Sequence, residues 1–197
     1  MLTAIARNAL IGVFVLASAC LSANPSQPGH DTMDSPVQST LEAPIYVAGF
    51  TVRTNNAAEM TENGKIGKLW ARFFQENLGA HIPNRADQTL IVVYSDYASD
   101  ETGDYTYLLG APVTSVTGLP AGISYRTIPA GRYAVFVTPK GPLVAGVQST
   151  WKRIWSTPPV RLGGYRAFQD DYEIYDQRSA DPNNAQVEIH IGLKPAS

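Results

Sequence analysis

The sequence predicts an α+β fold in which a strand-helix-strand-strand unit occurs twice, giving an antiparallel sheet with two helices packed on one face. Three observations predict it. Short segments alternate between apolar and polar residues with the period of a β-strand. Two longer segments carry apolar residues at helical spacing. The order strand, helix, strand, strand recurs after roughly 75 to 80 residues. We therefore expect two half-sheets joined edge to edge, with a ligand cleft between the halves.

The first half begins near Pro44. Its helix is predicted from apolar residues that recur between Ile66 and Leu78, and Gly79 is the expected helix end. The turn between the second and third strands is supplied by residues 98–103, which are rich in turn formers. The strands of this half are predicted at residues 45–53, 89–97 and 104–116.

The second half repeats the order. Its helix is expected to start at Pro142, a favourable first-turn position, and to stop before Pro158. Turn-forming residues separate the last two strands, so those strands are predicted to be antiparallel neighbours. The strands are predicted at residues 123–128, 132–138, 170–176 and 186–194.

Composition restricts the class of protein. Of 197 residues, 44% are hydrophobic, and 16 glycines and 14 prolines suit a β-rich globular domain. The net charge of −2 and the lack of a basic run disfavour a nucleic-acid partner. His30, His81 and His190 are scattered without metal-ligand spacing. Since the sequence also lacks a phosphate-binding glycine loop, we expect neither a metal nor a cofactor.

The N-terminal residues predict export. Residues 1–19 form a signal peptide whose apolar core is too short to span a membrane. Leu16-Ala-Ser-Ala-Cys20 resembles a bacterial lipobox, so Cys20 is expected to carry a lipid; the alternative is an ordinary signal cut after Ala19. Residues 20–43 are predicted to be a flexible linker and residues 44–197 to be the folded domain. The protein is therefore expected in the cell envelope, lipid-anchored or periplasmic.

The closing strands hold the candidate site. By strand alternation, Glu173 and Tyr175 share one face, opposite Tyr172 and Ile174. A carboxylate beside aromatic rings could form the bottom of a pocket for a cationic or aromatic molecule. The alternative is that Glu173 and Glu188 only occupy the solvent face of an antiparallel sheet. Alternation alone leaves both interpretations open.

Several stretches resemble the effector-binding domains of AraC-type and multidrug-sensing regulators, also called GyrI-like domains. The resemblance extends over nearly all of residues 44–194 and depends on the order and spacing of its pieces. These pieces are Ile82-Pro-Asn-Arg85, Val93-Tyr-Ser-Asp-Tyr97, Gly103-Asp-Tyr-Thr-Tyr-Leu-Leu-Gly110, Ile128-Pro-Ala-Gly-Arg-Tyr-Ala-Val-Phe136, residues 141–155, Tyr172-Glu-Ile-Tyr-Asp176 and Val187-Glu-Ile-His-Ile191.

The resemblance implies the same duplicated fold and a cleft that binds drug-like, often cationic and aromatic compounds. It also implies that Glu173 meets the positive charge of the ligand and that Glu188 can face it. The rings implied as cleft lining are Tyr94, Tyr107, Tyr133, Phe136 and Tyr175. By contrast, Trp70, Trp151 and Trp155 lie on predicted helix faces and are predicted to be core residues.

Three functions follow as expectations. The first is a cell-envelope small-molecule binding protein held at the membrane by its N-terminal lipid. The second is a hydrolase of strained electrophilic small molecules, with Glu173 as base and Tyr133 or Tyr175 as proton donor. The third is a structural envelope lipoprotein without a ligand. The regulators that the chain resembles also carry a DNA-binding segment, for which it has no room, so we expect no nucleic-acid partner.

Overall fold

The computed structural model describes residues 35–195. The predicted signal peptide, Cys20 and the first part of the predicted linker lie outside the described residues. Helix α1 spans Asn56–Glu59, α2 Ile66–Gln75, α3 Leu143–Ser156 and α4 Pro159–Leu162. The strands are β1 Val37–Leu41, β2 Ile45–Thr54, β3 Leu90–Ser95, β4 Tyr105–Pro112, β5 Ser124–Ile128, β6 Gly131–Val137, β7 Asp170–Tyr175 and β8 Glu188–Gly192. Leu78–His81 and Gln177–Ser179 form short 3-10 helices.

All eight strands form one antiparallel sheet in the order β1-β6-β8-β7-β3-β4-β2-β5. Within this order, β6-β8-β7 and β2-β4-β3 are equivalent half-sheets, because each places the strand before the helix farthest from the junction of the halves. The two halves meet where β7 pairs with β3. The predicted duplication and the antiparallel pairing of the last two strands are confirmed.

Both long helices pack on the same face of the sheet. Leu69 and Phe73 of α2 lie in a buried cluster with residues of β2, β3 and β4. Trp151 and Ile154 of α3 lie in a second buried cluster with residues of β6 and β8. Tyr94 of β3 contacts both clusters, which places it beneath the boundary between the helices. The predicted α+β arrangement with two helices on one face is therefore confirmed.

The opposite face of the sheet has its own buried apolar cluster. Val93, Leu108 and Tyr172 are each at most 3% exposed and pack with residues of β2, β5 and β6. Alternation along β7 places Tyr172 on this face and Glu173 on the helix-covered face. Tyr172 and Glu173, although adjacent in sequence, therefore contact different sets of residues on the two faces of the sheet.

Two boundaries differ from the predictions. The predicted linker to residue 43 is wrong for Val37–Leu41, which forms β1 and pairs with β6 from Val37 opposite Val135 to Leu41 opposite Gly131. The side chains of β1 are mostly exposed, so backbone pairing holds the strand and no hydrophobic alternation marks it. Helix α2 ends at Gln75, before the predicted end, because Asn77 adopts a left-handed conformation with φ of 50°.

Within residues 35–195, no helix combines the length and apolar character needed to cross a membrane.

Candidate functional site

Glu173 lies in the middle of the sheet, on the face covered by the helices. Its Cα lies opposite Val92 of β3 on one side and Ile189 of β8 on the other. Both neighbours are fully buried, and Glu173 itself is only 1% exposed. The predicted alternative of a solvent-facing carboxylate is therefore wrong for Glu173. A buried carboxylate is costly unless its oxygens are hydrogen-bonded, so its partners are informative.

The Glu173 carboxylate accepts three hydrogen bonds from aromatic side chains. The Tyr94 hydroxyl donates to Oε1 at 2.9 Å, and the Trp151 indole Nε1 donates to the same oxygen at 2.6 Å. The Tyr175 hydroxyl donates to Oε2 at 2.7 Å. These donors come from β3, α3 and β7, so elements of both halves converge on one acidic group.

Burial raises the pKa of Glu173 above its ordinary value, and the three hydrogen bonds act in the opposite direction because they favour the charged form. Burial together with the nearby Glu173 charge also raises the pKa of Tyr94 and of Tyr175 well above the ordinary value. Both phenols therefore remain protonated near neutral pH and can donate hydrogen bonds to the carboxylate.

A further layer of rings surrounds these donors. The Trp70 indole Nε1 donates to the Tyr107 hydroxyl at 2.7 Å, and its ring centroid lies 5.1 Å from that of Tyr175. The Tyr94 ring meets the Tyr107 ring edge-on at 5.1 Å and the Trp151 ring at 4.8 Å. Glu173 is thus enclosed by aromatic side chains from both helices and from three strands.

A second buried acid, Asp171, lies two residues before Glu173 on the same strand and the same face. It is 0% exposed, and one of its oxygens accepts hydrogen bonds at 2.8 Å from both Arg166 and the Tyr97 hydroxyl. The other oxygen accepts from the Gly192 backbone N–H at 2.8 Å. Within residues 35–195, Asp171 has a cationic partner in Arg166, whereas the hydrogen-bond donors to Glu173 are all neutral.

The structure brings together most, but not all, of the residues predicted for the site. Tyr94 and Tyr175 contact Glu173, and Tyr107 stands behind Tyr94. Phe136 lies on the same face but two strands away, opposite Ile189. The Arg153 guanidinium covers the Phe136 ring at 5.1 Å from its centroid.

Tyr133 and Glu188 lie on the opposite face of the sheet from Glu173. Tyr133 packs edge-on against Tyr172 at 5.3 Å and donates its hydroxyl hydrogen bond to the Pro129 carbonyl at 2.8 Å. Glu188 accepts a hydrogen bond from Arg178 at 2.8 Å. The hydrolase hypothesis paired Glu173 with Tyr133 or Tyr175, and the structure places only Tyr175 beside Glu173.

The helix tryptophans differ from the sequence prediction in an informative way. Trp151 is a core residue, as predicted, but its indole also donates to Glu173. Trp155 is 40% exposed, so the prediction of a core position is wrong for this residue. A signal for the Trp151 contact was available, since a buried indole N–H needs an acceptor and Glu173 is a buried acceptor on the facing strand.

The space above Glu173 is filled by side chains in this structure. Two surface hollows lie elsewhere, and Glu173 lines neither of them: one of about 390 Å³ adjoins residues 129–133, and one of about 300 Å³ adjoins Lys140 and Arg178. Within residues 35–195, no group of three or more His, Cys, Asp or Glu side chains could hold a metal ion.

Neutral hydrogen-bond donors and aromatic rings surround the Glu173 carboxylate. The three hydrogen-bond donors to the carboxylate are neutral. Aromatic faces attract delocalised cations, which lose less hydration energy on burial than a compact ion does. A hydrophobic cation could therefore replace the indole N–H beside the carboxylate and gain contacts with the surrounding rings.

Comparison with known sequences identifies relatives over most of the chain. A sequence model of the family described as Cass2, integron-associated effector binding protein, matches residues 42–193. YobU of Bacillus subtilis, named as a candidate transcriptional regulator, is 36% identical over 148 residues, which cover 75% of this chain and 91% of YobU. The transcriptional regulator BrlR of Pseudomonas aeruginosa is 32% identical over 133 residues, but the match spans only 46% of BrlR.

Comparison with solved structures finds the same fold. An integron cassette protein from the mobile metagenome of Vibrio cholerae has a TM-score of 0.62 and 29% identity, covering 82% of this chain and 97% of that chain. SAV2435, solved with tetraphenylphosphonium bound, has a TM-score of 0.66 and 15% identity, covering 81% of this chain and 93% of SAV2435. At that identity, the likeness to SAV2435 shows the fold alone.

Proposed function

Because the chain belongs to the integron-associated effector binding protein family, we propose that it binds cationic aromatic small molecules at Glu173. Membership of this family also confirms the resemblance to GyrI-like domains. The observation that carries the proposal is the buried Glu173 carboxylate, whose three donors are all neutral aromatic groups. Such a group offers one uncompensated acidic position within a ring-lined interior. The ligand supplies the missing positive charge.

The ligand class follows from the chemistry of the lining. A delocalised or sterically shielded cation is desolvated more easily than an ammonium, and each cation–π contact adds about 0.5–2 kcal/mol. Tyr94, Tyr175, Trp70 and Trp151 present ring surface around the carboxylate. Tetraphenylphosphonium, with four rings around one positive centre, is a suitable probe, and it is the molecule bound in SAV2435.

Ligand entry requires movement of side chains, since Glu173 is only 1% exposed. Trp151 is the group that must move, because its indole lies against Oε1 and its helix covers that part of the sheet. We place the ligand between α2 and α3, where the two halves join. The binding energy then includes the cost of displacing the indole from the carboxylate.

We also propose that the protein acts in the bacterial cell envelope. The lipobox-like Leu16-Ala-Ser-Ala-Cys20 supports export and lipid attachment at Cys20. A single acyl chain gives only reversible membrane binding, so stable anchoring needs more than one chain. The full chain expressed in a bacterial host should incorporate labelled palmitate, and Cys20→Ala should lose the label. Cleavage after Ala19 with no label would instead support a free periplasmic protein.

Thermal unfolding with increasing tetraphenylphosphonium tests the binding proposal, since a ligand that binds the folded state raises the Tm with concentration. Triphenylphosphine oxide, which is aromatic but neutral, serves as the matched probe. We expect a saturable rise in Tm with the cation and a much weaker one with the neutral compound. No response to either would favour a structural protein without a ligand, and equal responses would exclude a role for charge.

A further inference from the structure

The ionised form of Glu173 lacks a positively charged hydrogen-bond partner within residues 35–195. In the described part of the chain, the hydrogen bonds to its carboxylate come only from Tyr94, Trp151 and Tyr175, none of which carries a positive charge. A bound cation would supply a full positive charge at the same position. The free carboxylate therefore lacks the charge compensation that the complex has, and a proton can provide it instead.

We propose that this site, if it binds cations as argued above, takes one monocation in exchange for one proton. In the free protein the buried carboxyl group of Glu173 holds this proton. When the cation arrives, the O–H bond breaks, its electron pair stays on the carboxylate, and the proton passes to the solvent buffer. The net charge of the site is then the same before and after binding, with no charge left buried without a partner.

The hydrogen-bond network can accommodate either protonation state. Trp151 can only donate, so it fixes Oε1 as an acceptor. Tyr175 lies 2.7 Å from Oε2 and can act either as donor to the carboxylate or as acceptor of a proton on Oε2. If Glu173 is protonated on Oε2, this oxygen donates to the Tyr175 hydroxyl, and the hydrogen bonds to Oε1 are unchanged. Burial of the group raises its pKa, which favours the protonated form.

No other described titratable group near Glu173 supplies the compensating charge. The neighbouring phenols are neutral near pH 7, helices α2 and α3 contribute Trp70 and Trp151 above the sheet, and β8 contributes the apolar Ile189. The two arginines of the packed elements face other groups, since Arg166 pairs with Asp171 and Arg153 lies over the Phe136 ring. The other ionisable groups are phenols and acids. The phenols are Tyr94 of β3, Tyr105 and Tyr107 of β4 and Tyr175 of β7, and the acids are Asp171 of β7 and Glu59 of α1.

The site is expected to bind a single positive charge because the neighbouring acid, Asp171, is already paired. This second acid on the same strand face is bound by Arg166 at 2.8 Å and by two further donors. It is therefore already neutralised and offers nothing to a second positive charge. Glu173 is left as the one buried acid of this strand whose partners are all neutral, which favours monocations over dications.

Isothermal titration calorimetry with tetraphenylphosphonium tests the exchange directly, because this ion has no titratable group of its own. Titrations of the full chain at one pH in phosphate and in Tris, whose protonation enthalpies differ, give the number of protons released per ligand. We expect the release to approach one proton per ligand at acidic pH, where the free carboxyl group is protonated, and to fall toward zero as the pH rises through its pKa. The Kd should fall by up to about tenfold per pH unit below the pKa of the free carboxyl group and level off above it.

The variants separate this inference from a general pH effect. Glu76→Gln, which alters an exposed acid on α2, should release as many protons as the wild type. Glu173→Gln should bind weakly with no proton release, and its Tm without ligand shows whether it is folded. Binding by the wild type with a Kd constant within twofold from pH 5 to 8 and no proton release overturns the exchange. If tetraphenylphosphonium does not bind the wild type at any pH between 5 and 8, the proposed function itself is overturned.

Discussion

The Trp151 indole and the Glu173 carboxylate are joined by a hydrogen bond of 2.6 Å between Nε1 and Oε1. The bond links helix α3 to the central strand β7 and places an N–H group where a bound cation would lie. Trp151 therefore stabilises the buried acid, and in the proposed complex it would compete with the ligand for the same oxygen. One contact thus connects the stability of the domain with its affinity.

Trp151→Phe tests this dual role. The substitution keeps an aromatic ring but removes the N–H, so a buried acceptor loses one of its donors. We expect the free energy of unfolding to fall by about 1–3 kcal/mol in urea titrations. The affinity for tetraphenylphosphonium, measured by calorimetry, should equal or exceed that of the wild type. A folded variant whose affinity falls tenfold would show that the indole contributes to binding instead of competing.

The pH dependence of stability gives a prediction that needs no ligand. The pKa of Glu173 is raised in the folded state, so its contribution to stability is fully present below the unfolded pKa of about 4.3 and declines as pH rises through the folded pKa. Glu173→Gln cannot titrate at this position. The free energy of unfolding of the wild type minus that of the variant should therefore fall as the pH rises above the unfolded pKa of about 4.3. A difference that rises with pH would mean that hydrogen bonding outweighs burial.

Asp171→Asn should be severely destabilising. The substitution removes the charge that pairs with Arg166, a side chain that is only 9% exposed. Breaking a buried ion pair by removing one partner costs about 3–5 kcal/mol. Glu76→Gln, which removes an exposed partner of Arg72, should cost less than about 0.5 kcal/mol by the same urea titration. Similar losses in the two variants would contradict a structural role for Asp171.

Tyr133→Phe and Glu188→Gln test the assignment of residues to faces of the sheet. The family resemblance implied that both could meet the ligand, whereas the structure places both on the face opposite Glu173. Since neither side chain lies on the face of Glu173, each variant should bind tetraphenylphosphonium within about twofold of the wild type. A twofold change corresponds to about 0.4 kcal/mol. A tenfold loss in either variant, with the Tm unchanged, would place the ligand on the other face.

The sequence predicted the fold well because both periodicities were strong. The alternation along residues 170–176 and the apolar spacing in residues 66–78 each gave one interpretation, and their order gave the duplication. Strand β1 was missed because its side chains are mostly exposed, so its stability comes from backbone pairing with β6, which leaves no mark in hydropathy. The hydropathy pattern of residues 37–41 alone cannot reveal that this segment pairs with β6.

The site was predictable only in part. Alternation gave the shared face of Glu173 and Tyr175 but could not tell whether that face was covered. Burial of Glu173 became evident only once α3 was placed over β7, and the same placement brought Trp151 to the carboxylate. Tyr133 was assigned to the site by resemblance alone. Its strand position, which decides its face, depends on the register of β6 with β8.

The Kd of tetraphenylphosphonium for Glu173→Gln, compared with the wild type and Glu76→Gln at pH 7.5, tests the central claim most directly. We predict that the affinity of Glu173→Gln falls at least about tenfold, or 1.4 kcal/mol, and that Glu76→Gln is unchanged. An affinity of Glu173→Gln equal to that of the wild type, in a protein that remains folded, would contradict the claim that this buried carboxylate receives the charge of the ligand.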